Sequence, residues 1–130
     1  MLKGYTVLNL EANQFKPVKV TLSKGKLSLN NALFHSIGFP LYYRLAFNTE
    51  LKRIIVEECQ PMDEGAIKGI KKGQSYKIFT NQQLIKLLAK WIPGYSHDKV
   101  YNLPVTVYEK LCLIDVKEAT YSRALYKEGK

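Results

Sequence analysis

Between Asn81 and Pro93 the apolar residues Leu84, Ile85, Leu87, Leu88, Trp91 and Ile92 fall at i, i+1, i+3, i+4, i+7 and i+8. That spacing gathers them on one broad face of an α-helix and does not fit the period of two that a half-buried strand requires. Thr80-Asn81-Gln82-Gln83 has the form of a capping box in front of this helix, and Pro93-Gly94 ends it. An apolar face this wide must be covered, and the spacing predicts that Leu84, Leu88 and Trp91 pack against a sheet.

The remainder of the chain reads mostly as the strands of that sheet. Val18, Val20 and Leu22 alternate with Lys19 and Thr21, Ser23-Lys24-Gly25-Lys26 supplies a glycine-containing turn, and Leu27-Ser28-Leu29 returns as the second arm of a hairpin. Tyr5 to Leu10 reads as an earlier strand. Asn30 or Asn31 caps a short helix through Ile37, which Gly38 and Pro40 stop. Tyr42 to Phe47 and Arg53 to Glu57 form a second hairpin. Residues 60 to 74, with three glycines and weak periodicity, read as a basic linker. Tyr76 to Phe79, Lys99 to Val105 and Leu111 to Val116 are further strands, and 117 to 130 reads as a charged tail of frayed helix. With 130 residues there is room for one core, so the expectation is a single α+β domain over 1–130.

The two halves share an order of strand, capped helix, glycine-containing break, strand, turn and strand. Leu33, Phe34 and Ile37 correspond to Leu84, Ile85 and Leu88, and Arg53-Ile54-Ile55-Val56 to Leu111-Cys112-Leu113-Ile114. This reads as a degenerate duplication of approximately 18–58 in 75–116. The segments Val18 to Leu22, Leu29-Asn30-Asn31-Ala32-Leu33, Ile37-Gly38-Phe39 and the hairpin from Leu45 to Glu57 resemble the AbrB/MazE/SpoVT swapped-hairpin family. The resemblance implies a small, mainly β barrel of two strand-helix-hairpin repeats and a role in DNA-binding transcription regulation. The barrel would close as a monomeric pseudo-dimer or in a homodimer. The chain departs from the family pattern by having Lys16 and Lys19 where an arginine is usual, and Ser28-Leu29-Asn30 where a proline precedes the helix.

Charge is the stronger functional signal. Twenty Lys and Arg against eleven Asp and Glu give a net charge of +9, and only Arg44, Arg53 and Arg123 are arginines. No acid occurs from Ala12 to Thr49 or from Gly65 to His97. The first interval carries Lys16, Lys19, Lys24, Lys26 and Arg44, and the second Lys68, Lys71, Lys72, Lys77, Lys86 and Lys90. Lysine-rich, acid-free surface favours phosphate contact over base readout.

Catalytic and metal chemistry find little support. His35 and His97 stand apart from any Cys, Asp or Glu pattern, Asp63-Glu64 is an isolated loop pair, and Cys59 and Cys112 form no Cys-x-x-Cys motif. Gly69 to Ser75 lacks the Gly-Lys-Ser/Thr ending of a phosphate loop. No apolar run approaches a membrane span and no secretory signal is visible, so the expected setting is cytoplasmic. The sequence therefore predicts a non-enzymatic nucleic-acid-binding regulator, DNA being the expected ligand, that needs no cofactor. Its contacts would be Lys16, Lys19, Lys24, Lys26, Arg44, Lys68, Lys71, Lys72 and Lys77. The rival expectation is a phage or mobile-element protein that inhibits or modulates a host enzyme through an acidic surface on that enzyme.

Overall fold

Lys24 and Gly25 both have positive φ, 46° and 75°. Two such residues make the tight turn whose twist matches that of paired antiparallel strands, and they join β1 (Val20–Ser23) to β2 (Lys26–Asn30). The sequence alternation sets the faces: Val20 lies opposite Leu29 and Leu22 opposite Leu27, all four in the core. Thr21 opposite Ser28 and Ser23 opposite Lys26 occupy the outer face.

The computed structural model describes residues 17–124. After β2 come α1 (Asn31–Ser36), β3 (Tyr42–Asn48), β4 (Arg53–Glu58), β5 (Ile67–Lys68), β6 (Tyr76–Phe79) and α2 (Gln82–Trp91). Then follow β7 (Lys99–Asn102), β8 (Val105–Tyr108), β9 (Leu111–Asp115), a 3-10 turn at Val116–Glu118, and β10 (Thr120–Ala124). The first sheet has the order β10-β7-β1-β2-β6 and the second β5-β3-β4-β9-β8. All pairings are antiparallel.

The two sheets and both helices share one core. It holds Leu22, Leu27 and Leu29 from the first sheet, Tyr43, Ile54, Val56, Cys112 and Ile114 from the second, Leu33 and Phe34 from α1, and Leu84, Leu88 and Trp91 from α2. The expected apolar face of α2 is therefore buried as the spacing required, with Ile85 and Leu87 at its margins. No helix among the described residues is long and apolar enough to cross a membrane.

Several expectations need correction. Among the described residues the strands do not close into a barrel, and each sheet keeps two edges. The expected strand from Lys99 to Val105 breaks at Leu103-Pro104. Leu103 N donates to Val20 O in the first sheet, Pro104 O accepts from Asp115 N in the second, and proline has no N–H to carry a ladder across. The cap of α2 is Asn81, whose side chain accepts from Leu84 N at 3.1 Å, not Thr80. α1 is capped by Asn30, one of the two candidates. The 60–74 segment is no free linker, since β5 pairs with β3 and Ile70 is buried. Part of the expected frayed tail is β10, paired with β7. The Tyr5 to Leu10 strand and Lys16 lie outside the described residues.

Candidate nucleic-acid interface

The two sheets divide the charge between them. The strands of the first sheet contain no Asp or Glu, and carry Lys26, Lys77 and Lys99. The second sheet carries Glu57, Glu58 and Asp115, and its two arginines sit directly across a ladder from carboxylates. Arg44 Nε donates to Glu57 Oε2 at 2.8 Å, and Arg53 Nε to Asp115 Oδ1 at 2.7 Å. The hydrogen bond to Glu57, and then the charge of that carboxylate, hold the Arg44 guanidinium above its ordinary pKa. The one arginine among the nominated contacts is thus already engaged within the fold.

Four of the nominated lysines come together. Lys68, Lys71, Lys72 and Lys77 line a cleft of about 930 Å³ with Phe39, Pro40, Leu41 and the Gly69 to Gln74 loop. The cleft lies between β5, an edge of the second sheet, and β6, an edge of the first. Among the described residues no acid lines it, so the lysines repel one another and an incoming anion relieves that repulsion.

The loop that carries Lys71 and Lys72 is fixed at both ends. On one side Gly69 N donates to Leu41 O at 2.7 Å, and the backbone of Gly69 approaches Pro40 so closely that a β-carbon would run into the Pro40 carbonyl. On the other, the buried Asn31 donates from its backbone N to Ser75 O and from Nδ2 to Gln74 O, both at 2.8 Å. Gln74 closes the turn, accepting from Lys71 N through Oε1 and donating through Nε2 to Tyr76 O. Gly73, at φ 85°, supplies the left-handed residue the turn needs.

The hairpin lysines are placed differently. Lys19 precedes β1, its N–H donating to Asn30 Oδ1, at the end of the hairpin where β6 begins opposite Asn30. Lys24 and Lys26 stand at the other end of β2, about 14 Å away along a five-residue strand. The hairpin and cleft lysines do not form one cluster, although they border the same acid-free sheet.

Sequence reasoning missed the apolar side of the cleft. Phe39 stacks on His35 at 4.7 Å between ring centroids, and Leu41 is 82 % exposed at the cleft. On the outer face of β6, Tyr76 and Ile78 are each 51 % exposed. The available signal was the phase of the strand: Lys77 and Phe79 pair with the core residues Leu29 and Leu27, which turns Tyr76 and Ile78 outward.

Other reactive groups are quiet. Burial raises the Cys112 thiol, which Ser36 only partly offsets, and burial followed by Asp63 raises Cys59, the direction that disfavours thiolate. Among the described residues no three His, Cys, Asp or Glu side chains are grouped to hold a metal. No family model, curated protein or solved structure matches the chain.

Proposed function

We propose that the protein binds nucleic acid without catalysing a reaction, through the lysine cleft and the acid-free sheet beside it. The observation that carries this reading is the convergence of Lys68, Lys71, Lys72 and Lys77 on one cleft with no acid in its lining. Lysines without internal ion-pair partners are the groups that can exchange condensed counterions for phosphates. The segregation of carboxylates to the second sheet gives an approaching polyanion a preferred side. With both ladder arginines paired to acids, binding is expected to be dominated by phosphate contact and weakly dependent on sequence.

The reading includes an internal duplication similar to the swapped-hairpin family, on a frame of two open sheets. What supports it is the adjacency of matching segments. β2 lies against β6, and each leads into an asparagine-capped helix; β4 lies against β9 with Ile55 opposite its counterpart Leu113.

The direct test is fluorescence anisotropy with labelled mixed-sequence DNA and RNA, alongside polyglutamate as a non-nucleic polyanion. Binding of nucleic acid at least about tenfold tighter than polyglutamate at equal charge supports the reading. Equal binding, or none at low salt, contradicts it and leaves an acidic protein surface as the partner to seek.

A further inference from the structure

The cleft is more than a basic patch, because part of its wall is apolar. Phe39, Pro40 and Leu41 face the same space as Lys68, Lys71, Lys72 and Lys77, and Leu41 projects there at 82 % exposure, with no core contact to account for it. A duplex presents phosphates on its outside and keeps its bases stacked within, so it offers little to an apolar wall beside lysines. An unpaired strand offers both: phosphates for the ammonium groups and free base faces for aromatic and aliphatic carbon. The volume, about 930 Å³, lies within the range of pockets that enclose small ligands, about 300–1,000 Å³. That is room for a few nucleotides.

A second surface lies across the edge strand β6. β6 leaves the cleft with Lys77 turned into it and with Tyr76 and Ile78 on the opposite, exposed face. Beyond them the outer face of the sheet continues through Ser28 and Thr21 to Asn102 and Thr120, a polar surface without a carboxylate. The Lys71 to Gln74 turn is held by its own hydrogen bonds and by Asn31, so the lysines start from a preorganised backbone and less ordering opposes binding.

Resting on the nucleic-acid reading above, we infer that the cleft between β5 and β6 is a site for unpaired nucleotides of a single strand, with Leu41 and Phe39 against the bases and Lys68, Lys71, Lys72 and Lys77 against the phosphates. The sugar is not distinguished by this chemistry, so DNA and RNA strands are both candidates.

The test compares the intact chain with Leu41→Ser and with the double variant Lys71→Gln/Lys72→Gln. The probes are oligo(dT) and oligo(U) of about eight nucleotides and a mixed-sequence duplex of equal length. The expected result is single strands bound at least about tenfold tighter than duplex at the same salt. Leu41→Ser should weaken single strands about threefold or more and leave duplex unchanged, while the double lysine variant weakens single strands most. Because Leu41 is exposed, its replacement leaves the fold intact, which a melting curve verifies. Duplex bound as tightly as single strand, or Leu41→Ser without effect on either single strand, overturns the single-strand site while leaving nucleic-acid binding standing. Absence of binding to every probe overturns both. A preference between oligo(dT) and oligo(U) identifies the strand the site takes.

Discussion

Gly69 and Pro40 meet backbone to backbone, with no room between them for a side chain. The contact joins the loop after β5 to the segment before β3, and both segments line the lysine cleft. Gly69→Ala must push the two segments apart, and overpacking of this kind costs about 1–3 kcal/mol. Urea unfolding is expected to show that loss, with binding reduced as well because Lys71 and Lys72 move with the loop. An alanine variant of unchanged stability would mean that the approach is slack.

Tyr43 presents a second unusual relationship. Its ring packs edge-on against Phe34 at 5.0 Å, and its hydroxyl is buried with no hydrogen-bond partner among the described residues. A desolvated, unpaired hydroxyl costs about 1–3 kcal/mol, so Tyr43→Phe is expected to stabilise the protein by about 1 kcal/mol. Burial also raises the phenol above its ordinary value of 10.0. The folded form thus keeps its proton where the unfolded chain loses it, and this group's contribution is present below about pH 10 and is lost as pH rises further. The advantage of the Phe variant over the parent should therefore grow between about pH 8 and about pH 10.5. A constant difference across that range would contradict the assignment.

Leu88 is fully buried at the centre of the α2 face. Leu88→Ala is expected to cost about 2–5 kcal/mol. Denaturant titration checks this, and a loss under about 1 kcal/mol would place the helix outside the core.

Arg44 tests how internal pairing limits the interface. Its guanidinium is held by Glu57 across the β3–β4 ladder, so Arg44→Gln is expected to leave nucleic-acid affinity within about twofold of the parent while Lys71→Gln/Lys72→Gln does not. A larger loss at Arg44 would mean that the pair opens to contact the ligand.

What was legible in the sequence was local. The period of α2, the alternation of the β1–β2 hairpin and the Asn30 cap all follow from spacing within a few residues, and each element stands where those residues put it. The pairing of elements was not legible. Nothing near Leu103-Pro104 states that the chain changes sheets there, because that depends on Val20 and Asp115, each distant in sequence. The same holds for the site. The acid-free intervals contain the cleft lysines, but only tertiary structure brings Lys68 and Lys77 to one cleft, adds Leu41 and Phe39 to it, and ties Arg44 to Glu57. Asn81 displaced Thr80 as the cap because both residue types suit the position, and sequence alone did not rank them.

The central claim is that binding is localised to the cleft lysines and is not a diffuse effect of the net charge of +9. The most direct measurement is the salt dependence of single-strand affinity for three proteins: the parent, Lys71→Gln/Lys72→Gln, and the control Lys110→Gln/Lys117→Gln, which removes the same charge from exposed positions outside the cleft. Each phosphate neutralised contributes about 0.7 to the slope of log K against log salt on a single strand. The account predicts a slope lower by about 1.4 in the cleft variant and a slope unchanged in the control. Equal losses in the two variants would contradict it.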